Sequence, residues 1–139
     1  MSKDFDIVIM GGGMVGATIA CGLADTGLQI AVIDRTAPAD YDPHSAPGLR
    51  VSAISYASEQ VLRNVGAWPY IAKKRSCPYR RLAVNEVSEQ KGIASLLPDI
   101  SAWARAEFSA ADIGKSHLGH IVENDLIQLS LHQSMANHD

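Results

Sequence analysis

Hydrophobic and polar positions follow two regular patterns in the first third of the chain. Residues 7–10 are continuously apolar, which is typical of a strand buried in a parallel sheet. Residues 17–26 carry good helix formers with apolar positions at helical spacing, and Gly27 follows where such a helix is expected to end. Residues 29–33 are again strand-like. This order predicts a βαβ unit over 5–34, with parallel strands and a right-handed crossover.

The pattern beyond this unit is less regular. Residues 35–49 contain three prolines and scattered acids, which predicts a long exposed loop. We expect Asn124 to be the N-cap of the last helix. The remaining predicted elements are an ordered segment at 50–54, helices at 58–65, 68–71 and 126–135, strands at 81–87 and 103–108, and a short apolar run at 119–122.

Composition narrows the class of protein. The chain has 139 residues, 47% of them hydrophobic and 19% charged, with a formal net charge of -3, which is typical of one soluble globular domain. The negative charge argues against a nucleic-acid partner. No apolar run reaches the length of a membrane helix, and the N-terminus does not resemble a signal peptide, so a cytoplasmic location is expected. Cys21 and Cys77 are predicted to be reduced thiols.

A glycine motif carries the candidate chemistry. The sequence GGGMVG at 11–16 fits G-x-G-x-x-G, follows the first predicted strand and precedes the first helix. In this motif Gly11 permits the tight turn and Gly13 lets the backbone approach a pyrophosphate, whereas Gly16 lets helix and strand pack closely. Asp34 ends the second predicted strand, where an acid of this motif is expected. The context predicts a dinucleotide site rather than a glycine-rich turn without a ligand.

The predicted ligand is an ADP group without a 2′-phosphate. Free N–H groups of the glycine turn, to which Met14 and Val15 belong, and the positive end of the dipole of the following helix favour an anion. Asp34 can accept hydrogen bonds from a ribose diol and would repel a 2′-phosphate. Arg35, the next residue, is also predicted to lie at the cofactor. These residues by themselves leave FAD and NAD open.

Several separated motifs resemble one enzyme family. Residues 11–34 are similar to the ADP-binding stretch of flavoprotein monooxygenases, although those enzymes more often have Glu where this chain has Asp34. The sequences RVSAIS at 50–55 and CPYRRL at 77–82 resemble segments of the ubiquinone-biosynthesis aromatic-ring hydroxylases. SHLGHIVEN at 116–124 is especially similar to their polyprenylphenol hydroxylase branch.

The resemblance implies both a fold and an activity. It implies an α/β, Rossmann-like FAD/NAD(P)-binding fold and an FAD-dependent monooxygenase that uses NAD(P)H and O2 to hydroxylate a polyprenylated phenol or quinol ring. By motif match, Arg50 falls near the flavin and pyrophosphate, and Gln128 falls on a helix that approaches the cofactor. An alternative for Arg50 is a surface ion pair with Asp40 or Asp42. The resemblance assigns no catalytic side chain, and the histidine spacing predicts no metal site.

The resemblance also implies that part of the family's architecture is missing. Members of the family have roughly three times this length, with a substrate domain and a later Gly-Asp FAD motif that these residues do not contain. We therefore expect 1–139 to be a partial FAD-binding domain, the N-terminal third of such an enzyme, divided into the unit 5–34, the loop 35–49 and the remainder 50–139. Two alternatives stay open, a truncated non-catalytic FAD/ADP-binding remnant and an NAD-dependent dehydrogenase.

The expected partners follow from the same resemblance. They are the polyprenylated phenol substrate and, as options left open, other ubiquinone-biosynthesis proteins and peripheral contact with the inner membrane. The basic residues between Lys73 and Arg81 would suit anionic lipid, but the negative charge of the chain favours a solvated face instead. The sequence leaves open the ring position, the choice between NADH and NADPH, and the oligomeric state.

Overall fold

Two compact units make up the chain in a computed structural model that describes residues 4–85 and 105–138. The first unit combines Met1–Cys77 with Gly119–Asp139, and the second is Pro78–Leu118. The strands and helices of the first unit are β1 (Ile7–Met10), α1 (Met14–Leu23), β2 (Ile30–Ile33), β3 (Val51–Ser55), α2 (Tyr56–Asn64), α3 (Trp68–Ala72), β7 (Gly119–Glu123) and α4 (Asn124–Met135). The chain passes into the second unit within β4 (Ser76–Tyr79).

The predicted βαβ unit is present. Strands β1 and β2 pair in parallel, with Ile7 opposite Ile30 and Met10 opposite Ile33. Between them lies α1, followed by a short 3-10 turn at Ala24–Thr26 and by Gly27 in a left-handed conformation. The predicted helix start was wrong by three residues, because α1 begins at Met14 directly after the glycine turn rather than at residue 17.

Small residues bring α1 close to α4. Ala17, Ala20 and Cys21 are the buried residues of α1, and the Cys21 thiol donates a 3.5 Å hydrogen bond to the Leu131 carbonyl oxygen. Side chains of this size leave room for two helices to pack closely and exclude water from the shared core. The buried hydrophobic cluster of the first unit is formed by Ala17, Cys21, Leu62, Ala67, Trp68, Ile71, Val122, Leu126, Ile127 and Leu131.

An antiparallel pair positions the start of α4. Strand β7 pairs with β3, and Ala53 of β3 is opposite Ile121 of β7. The prediction that Asn124 is an N-cap was wrong, since α4 begins at Asn124 and its N-cap is Glu123, which makes no side-chain cap. Instead, the Asn124 side-chain oxygen accepts a 2.6 Å hydrogen bond from Ser52, so this side chain joins the helix to β3.

One carboxylate is buried in the first unit. Glu59 of α2 is only 1% exposed, and its two oxygens contact Arg63 at 2.6 Å and His120 at 2.9 Å. The His120 ring packs edge-on against Trp68, with 4.9 Å between ring centroids. A buried charge requires such partners because transfer of an ion from water into a protein interior costs on the order of several kcal/mol. The cluster therefore joins α2, α3 and β7.

The second unit is described by itself. Its strands β5 (Arg81–Asn85) and β6 (Arg105–Ser109) pair antiparallel, and a 3-10 turn follows at Ala110–Ile113. Ser109 and Asp112 bond reciprocally to each other's backbone N–H groups as a capping box. The predicted strands at 81–87 and 103–108 are confirmed within these bounds, and their remaining residues lie outside the described part of the chain.

Candidate functional site

The glycine turn connects β1 to α1 and requires glycine at two positions. Gly11 has φ +105°, a backbone conformation that L side chains rarely adopt, and its N–H donates to the Ile33 carbonyl oxygen at 2.8 Å. A Cβ atom on Gly16 would overlap the Gly11 carbonyl oxygen and lie 3.2 Å from Cγ2 of Ile9. The turn therefore closes only with glycine at both positions, as the motif predicts.

The start of α1 presents backbone donors that have no partner within the helix. Its N-cap, Gly13, supplies no side chain, and the first turn contains no acidic residue. The first backbone bond of the helix runs from the Ala17 N–H to the Gly13 carbonyl oxygen at 2.9 Å. The N–H groups of Met14, Val15 and Gly16 precede that bond and have no carbonyl within the helix. Together with the helix dipole they form an environment that attracts an anion.

Gly13 borders open space. A Cβ atom added there would meet nothing within 4 Å, and the backbone angles of Gly13 are ordinary, with φ −70° and ψ −176°. Nothing in the described fold therefore requires glycine at this position. The open side of Gly13 leaves room for a ligand to approach the backbone, and a methyl group there would occupy that room.

Asp34 fixes the turn from the end of β2. Its Oδ2 accepts a 2.6 Å hydrogen bond from the Gly12 N–H, and its Oδ1 accepts one of the same length from the Arg35 N–H. The backbone hydrogen bond from Gly12, followed by that from Arg35, lowers the pKa of the exposed Asp34 carboxyl below its usual value. Asp34 is therefore ionised at neutral pH. The Arg35 side chain is exposed beside it.

Helix α4 supplies two further contacts to the turn. Gln128 donates from Nε2 to the Gly12 carbonyl oxygen at 3.1 Å, and His132 Nε2 lies 2.6 Å from the same oxygen. These residues are four apart, so they share one face of the helix. The sequence prediction included Gln128 but missed His132, for which four-residue spacing from Gln128 on a predicted helix was the available signal.

A cleft opens beside Asp34. Three of the seven residues that line it are apolar, and Asp34 is among the polar ones. The lining residues are Val32, Asp34, Arg35, Thr36, Ala37, His132 and Met135. Apolar residues beside one ionised acceptor are chemically suited to an adenosine, whose base is flat and whose ribose carries hydroxyl donors.

Arg50 lies apart from the contacts that assemble the turn. Its carbonyl oxygen accepts a 3.0 Å hydrogen bond from the Asn124 N–H at the start of α4, and its side chain is exposed. Gln128 follows Asn124 by four residues, or about 6 Å along the helix axis. Within residues 4–85 and 105–138, no ion pair joins Arg50 to Asp40 or Asp42.

The predicted loop at 35–49 is largely exposed, as expected, but it is held at one end. Arg75 donates to the Ser45 carbonyl oxygen at 2.7 Å and forms an ion pair with Glu123 at 3.0 Å. The other oxygen of Glu123 accepts the Gly48 N–H at 2.7 Å. Arg75 belongs to the basic stretch that sequence analysis considered for lipid contact, so one of its cations has a structural role.

Three kinds of comparison bear on the identity of the chain. The sequence model of the DAO family, described as FAD dependent oxidoreductase, matches residues 6–119. A relative from Escherichia coli (strain K12) named 3-demethoxyubiquinol 3-hydroxylase is 37% identical over 135 residues, which are 96% of this chain and 30% of that protein. The Xenopus tropicalis protein named ubiquinone biosynthesis monooxygenase COQ6, mitochondrial, is 33% identical, across 88% of this chain and 24% of that protein.

Solved structures show the same fold. The p-nitrophenol 4-monooxygenase PnpA from Pseudomonas putida DLL-E4 matches with a TM-score of 0.62 and 15% identity, across 99% of this chain and 30% of that one. The flavin-dependent monooxygenase PieE, solved with FAD and substrate, matches with a TM-score of 0.55 and 14% identity, across 96% of this chain and 22% of that one. The predicted α/β, Rossmann-like fold is thereby confirmed. The chain spans less than a third of the length of these relatives.

Proposed function

Because this chain belongs to the family of FAD-dependent oxidoreductases, we propose that it supplies the ADP-binding part of an FAD-dependent monooxygenase. The activity proposed for the whole enzyme is hydroxylation of a polyprenylated phenol or quinol ring in ubiquinone biosynthesis, with NAD(P)H and O2. The relatives named as ubiquinone-biosynthesis hydroxylases support this substrate class. The glycine turn with its open side at Gly13 carries the proposal, because that open space is what an approaching pyrophosphate requires.

The described residues have separate roles in this proposal. The N–H groups of Gly13, Met14, Val15 and Gly16 hold the pyrophosphate at the start of α1, where the helix dipole lowers the cost of its charge. Asp34 accepts a hydrogen bond from the adenosine ribose while it keeps Gly12 in place. Gly11 permits the turn between strand and helix.

Three further residues are assigned to the FAD around the pyrophosphate. Arg35, exposed next to Asp34 at the cleft, would contact the adenosine, and Arg50 would lie near the flavin and pyrophosphate, as its motif resemblance implies. Gln128 acts on the same region through its bond to the Gly12 carbonyl oxygen. When bound, FAD supplies the oxygen-activating redox chemistry, and these side chains bind and orient it.

Substrate and surroundings follow as parts of the same proposal. The prenyl tail of the substrate would draw the whole enzyme to the cytoplasmic surface of the inner membrane. There it would contact other ubiquinone-biosynthesis proteins. None of the helices in the described segments is long and apolar enough to cross a bilayer. The FAD family match disfavours an NAD-dependent dehydrogenase, whereas a non-catalytic FAD/ADP-binding remnant stays open as the second candidate.

A binding experiment tests the ADP site directly. The purified 139-residue chain is examined for bound flavin by absorbance and by fluorescence after denaturation. It is then titrated calorimetrically with FAD and ADP, and with the pair AMP and 2′,5′-ADP. We expect ADP to bind and FAD to be retained weakly or not at all, because these residues hold only the ADP part of an FAD site. We expect 2′,5′-ADP to bind more weakly than AMP, which differs from it only by the 2′-phosphate that the ionised Asp34 repels.

Matched variants assign the effect to Asp34. Asp34→Asn keeps the size of the side chain, and Asp40→Asn makes the same charge change at an exposed loop position. We expect roughly a 10- to 100-fold loss of ADP affinity in Asp34→Asn, since hydrogen bonds to charged groups contribute about 1.5–3 kcal/mol. Asp40→Asn should bind as wild type does. A chain that binds neither FAD nor ADP contradicts the proposal, and binding of both without hydroxylation in an extended enzyme favours the remnant.

A further inference from the structure

His132 makes the shortest described contact between α4 and the glycine turn. Its Nε2 lies 2.6 Å from the Gly12 carbonyl oxygen, compared with 3.1 Å for Nε2 of Gln128. A carbonyl oxygen has no proton to donate, so Nε2 of His132 carries the proton in this bond. Gly12 is buried, and a Cβ atom on it would lie 3.2 Å from His132 Nε2 and 3.4 Å from the Asp34 Cβ. Glycine at 12 thus lets both side chains approach.

These contacts fix the peptide groups on both sides of Gly12. The Gly12 N–H is held by Asp34, and the Gly12 carbonyl oxygen is held by Gln128 and His132. The peptide between Gly12 and Gly13 is trans and planar, so its N–H points opposite to its carbonyl oxygen. The Gly13 N–H is therefore directed away from α4. Around Gly13, a Cβ atom would find only open space.

We infer that His132 is a positioning residue of the dinucleotide site, which sets the orientation of the Gly12–Gly13 peptide so that the Gly13 N–H faces the pyrophosphate. The inference rests on the proposed ADP-binding function. His132 acts through Gly12 and from the cleft beside Asp34, of which its ring forms part of the wall. Gln128 and His132 both donate to the Gly12 carbonyl oxygen, so they restrict the motion of the Gly12–Gly13 peptide before a ligand binds. This restriction reduces the conformational entropy that is lost on binding.

Substitutions that differ only in the donor separate positioning from packing. His132→Leu removes the donor, and His132→Gln restores a side-chain N–H of similar reach. His44→Leu is the matched control, since it makes the same His-to-Leu substitution at an exposed histidine of the 35–49 loop. Affinity for ADP is measured by calorimetry on the full 139-residue chain, and thermal unfolding of the unliganded chain is recorded in parallel. Gln128→Leu, which removes the second donor to the same oxygen, provides an independent variant if His132→Leu does not fold.

We expect His132→Leu to weaken ADP binding about three- to tenfold, the range that one lost hydrogen bond predicts. His132→Gln should recover most of the affinity, and His44→Leu should bind as wild type does. Gln128→Leu should also lose affinity, because it frees the same peptide. Equal ADP affinity in wild type and His132→Leu overturns this inference alone, as does a loss in His132→Leu that His132→Gln does not recover. A wild-type chain that binds no ADP overturns the proposed function together with this inference.

Discussion

Replacing Gly16 with alanine tests the geometry of the glycine turn in the absence of any ligand. The added Cβ would overlap the backbone oxygen of Gly11. The distance between these two atoms would be well below 3.0 Å, a limit that Cβ contacts in proteins essentially never go below. A second contact of 3.2 Å to Cγ2 of Ile9 closes the other side. Because a backbone oxygen cannot rotate away as a flexible side chain can, β1 and α1 must separate. That movement disturbs packing along both elements.

The expected cost follows from this overlap. Overpacking a close-packed interior costs about 1–3 kcal/mol, and a collision with backbone belongs at the upper end of that range. For a domain of this size, one kcal/mol lowers Tm by about 4 °C. We therefore expect the free energy of unfolding of Gly16→Ala to fall by about 2–3 kcal/mol, which corresponds to a Tm loss of about 8–12 °C. Urea denaturation followed by circular dichroism measures the free energy of unfolding, and a thermal scan with the same signal measures Tm.

Gly13→Ala is the matched control. It adds the same methyl group three residues away, where nothing lies within 4 Å and the backbone angles suit alanine. Its unfolding free energy should stay within about 1 kcal/mol of wild type, because two effects oppose each other. Alanine lowers the entropy of the unfolded chain, which stabilises the fold, but it is a poorer N-cap than glycine, which destabilises the helix. Its affinity for ADP should fall at least about fivefold, since the methyl group occupies the approach of the pyrophosphate.

The two variants can contradict the reasoning separately. A Gly16→Ala chain as stable as wild type would mean that β1 and α1 do not approach as closely as the structure shows. Wild-type ADP affinity in Gly13→Ala would mean that the open space beside Gly13 is not where the pyrophosphate binds. Equal destabilisation by both variants would refute the distinction between a glycine that the fold requires and one that the ligand requires.

Two further predictions follow from the lowered pKa of Asp34 and the raised pKa of Cys21. Because hydrogen bonds from Gly12 and Arg35 lower the pKa of Asp34, its carboxylate stabilises the fold above about pH 4 and loses that effect as pH falls through the lowered pKa. The difference in unfolding free energy between wild type and Asp34→Asn should be constant from pH 7 to about pH 5 and shrink in more acid solution, and a difference that grows on acidification contradicts this. Burial raises the pKa of the Cys21 thiol and shields it, so iodoacetamide should modify only the exposed Cys77 in the native chain and should reach Cys21 only in urea. Mass spectrometry locates the label, and equal labelling of both thiols in the native chain contradicts this prediction.

Local sequence determined the elements nearest to the proposed chemistry. The apolar run at 7–10, the glycines at 11–16 and Asp34 predicted a parallel pair of strands joined through a glycine turn and a helix, and these elements are present. These features depend on the conformational freedom of a few adjacent residues and on hydrophobic periodicity, which need no knowledge of the rest of the fold. The hydrogen bond from the Gly12 N–H to Asp34 was not predicted, although both residues follow the ends of the paired strands β1 and β2.

Tertiary structure alone decided what surrounds that turn. Gln128 and His132 reach Gly12 from 116 and 120 residues further along the chain, and periodicity within a helix does not reveal which loop its polar face meets. Asn124 resembled an N-cap in sequence, yet Ser52 on a neighbouring strand bonds its side chain instead. In each case the outcome was set by groups distant in sequence that compete for the same polar atoms once burial removes water from them.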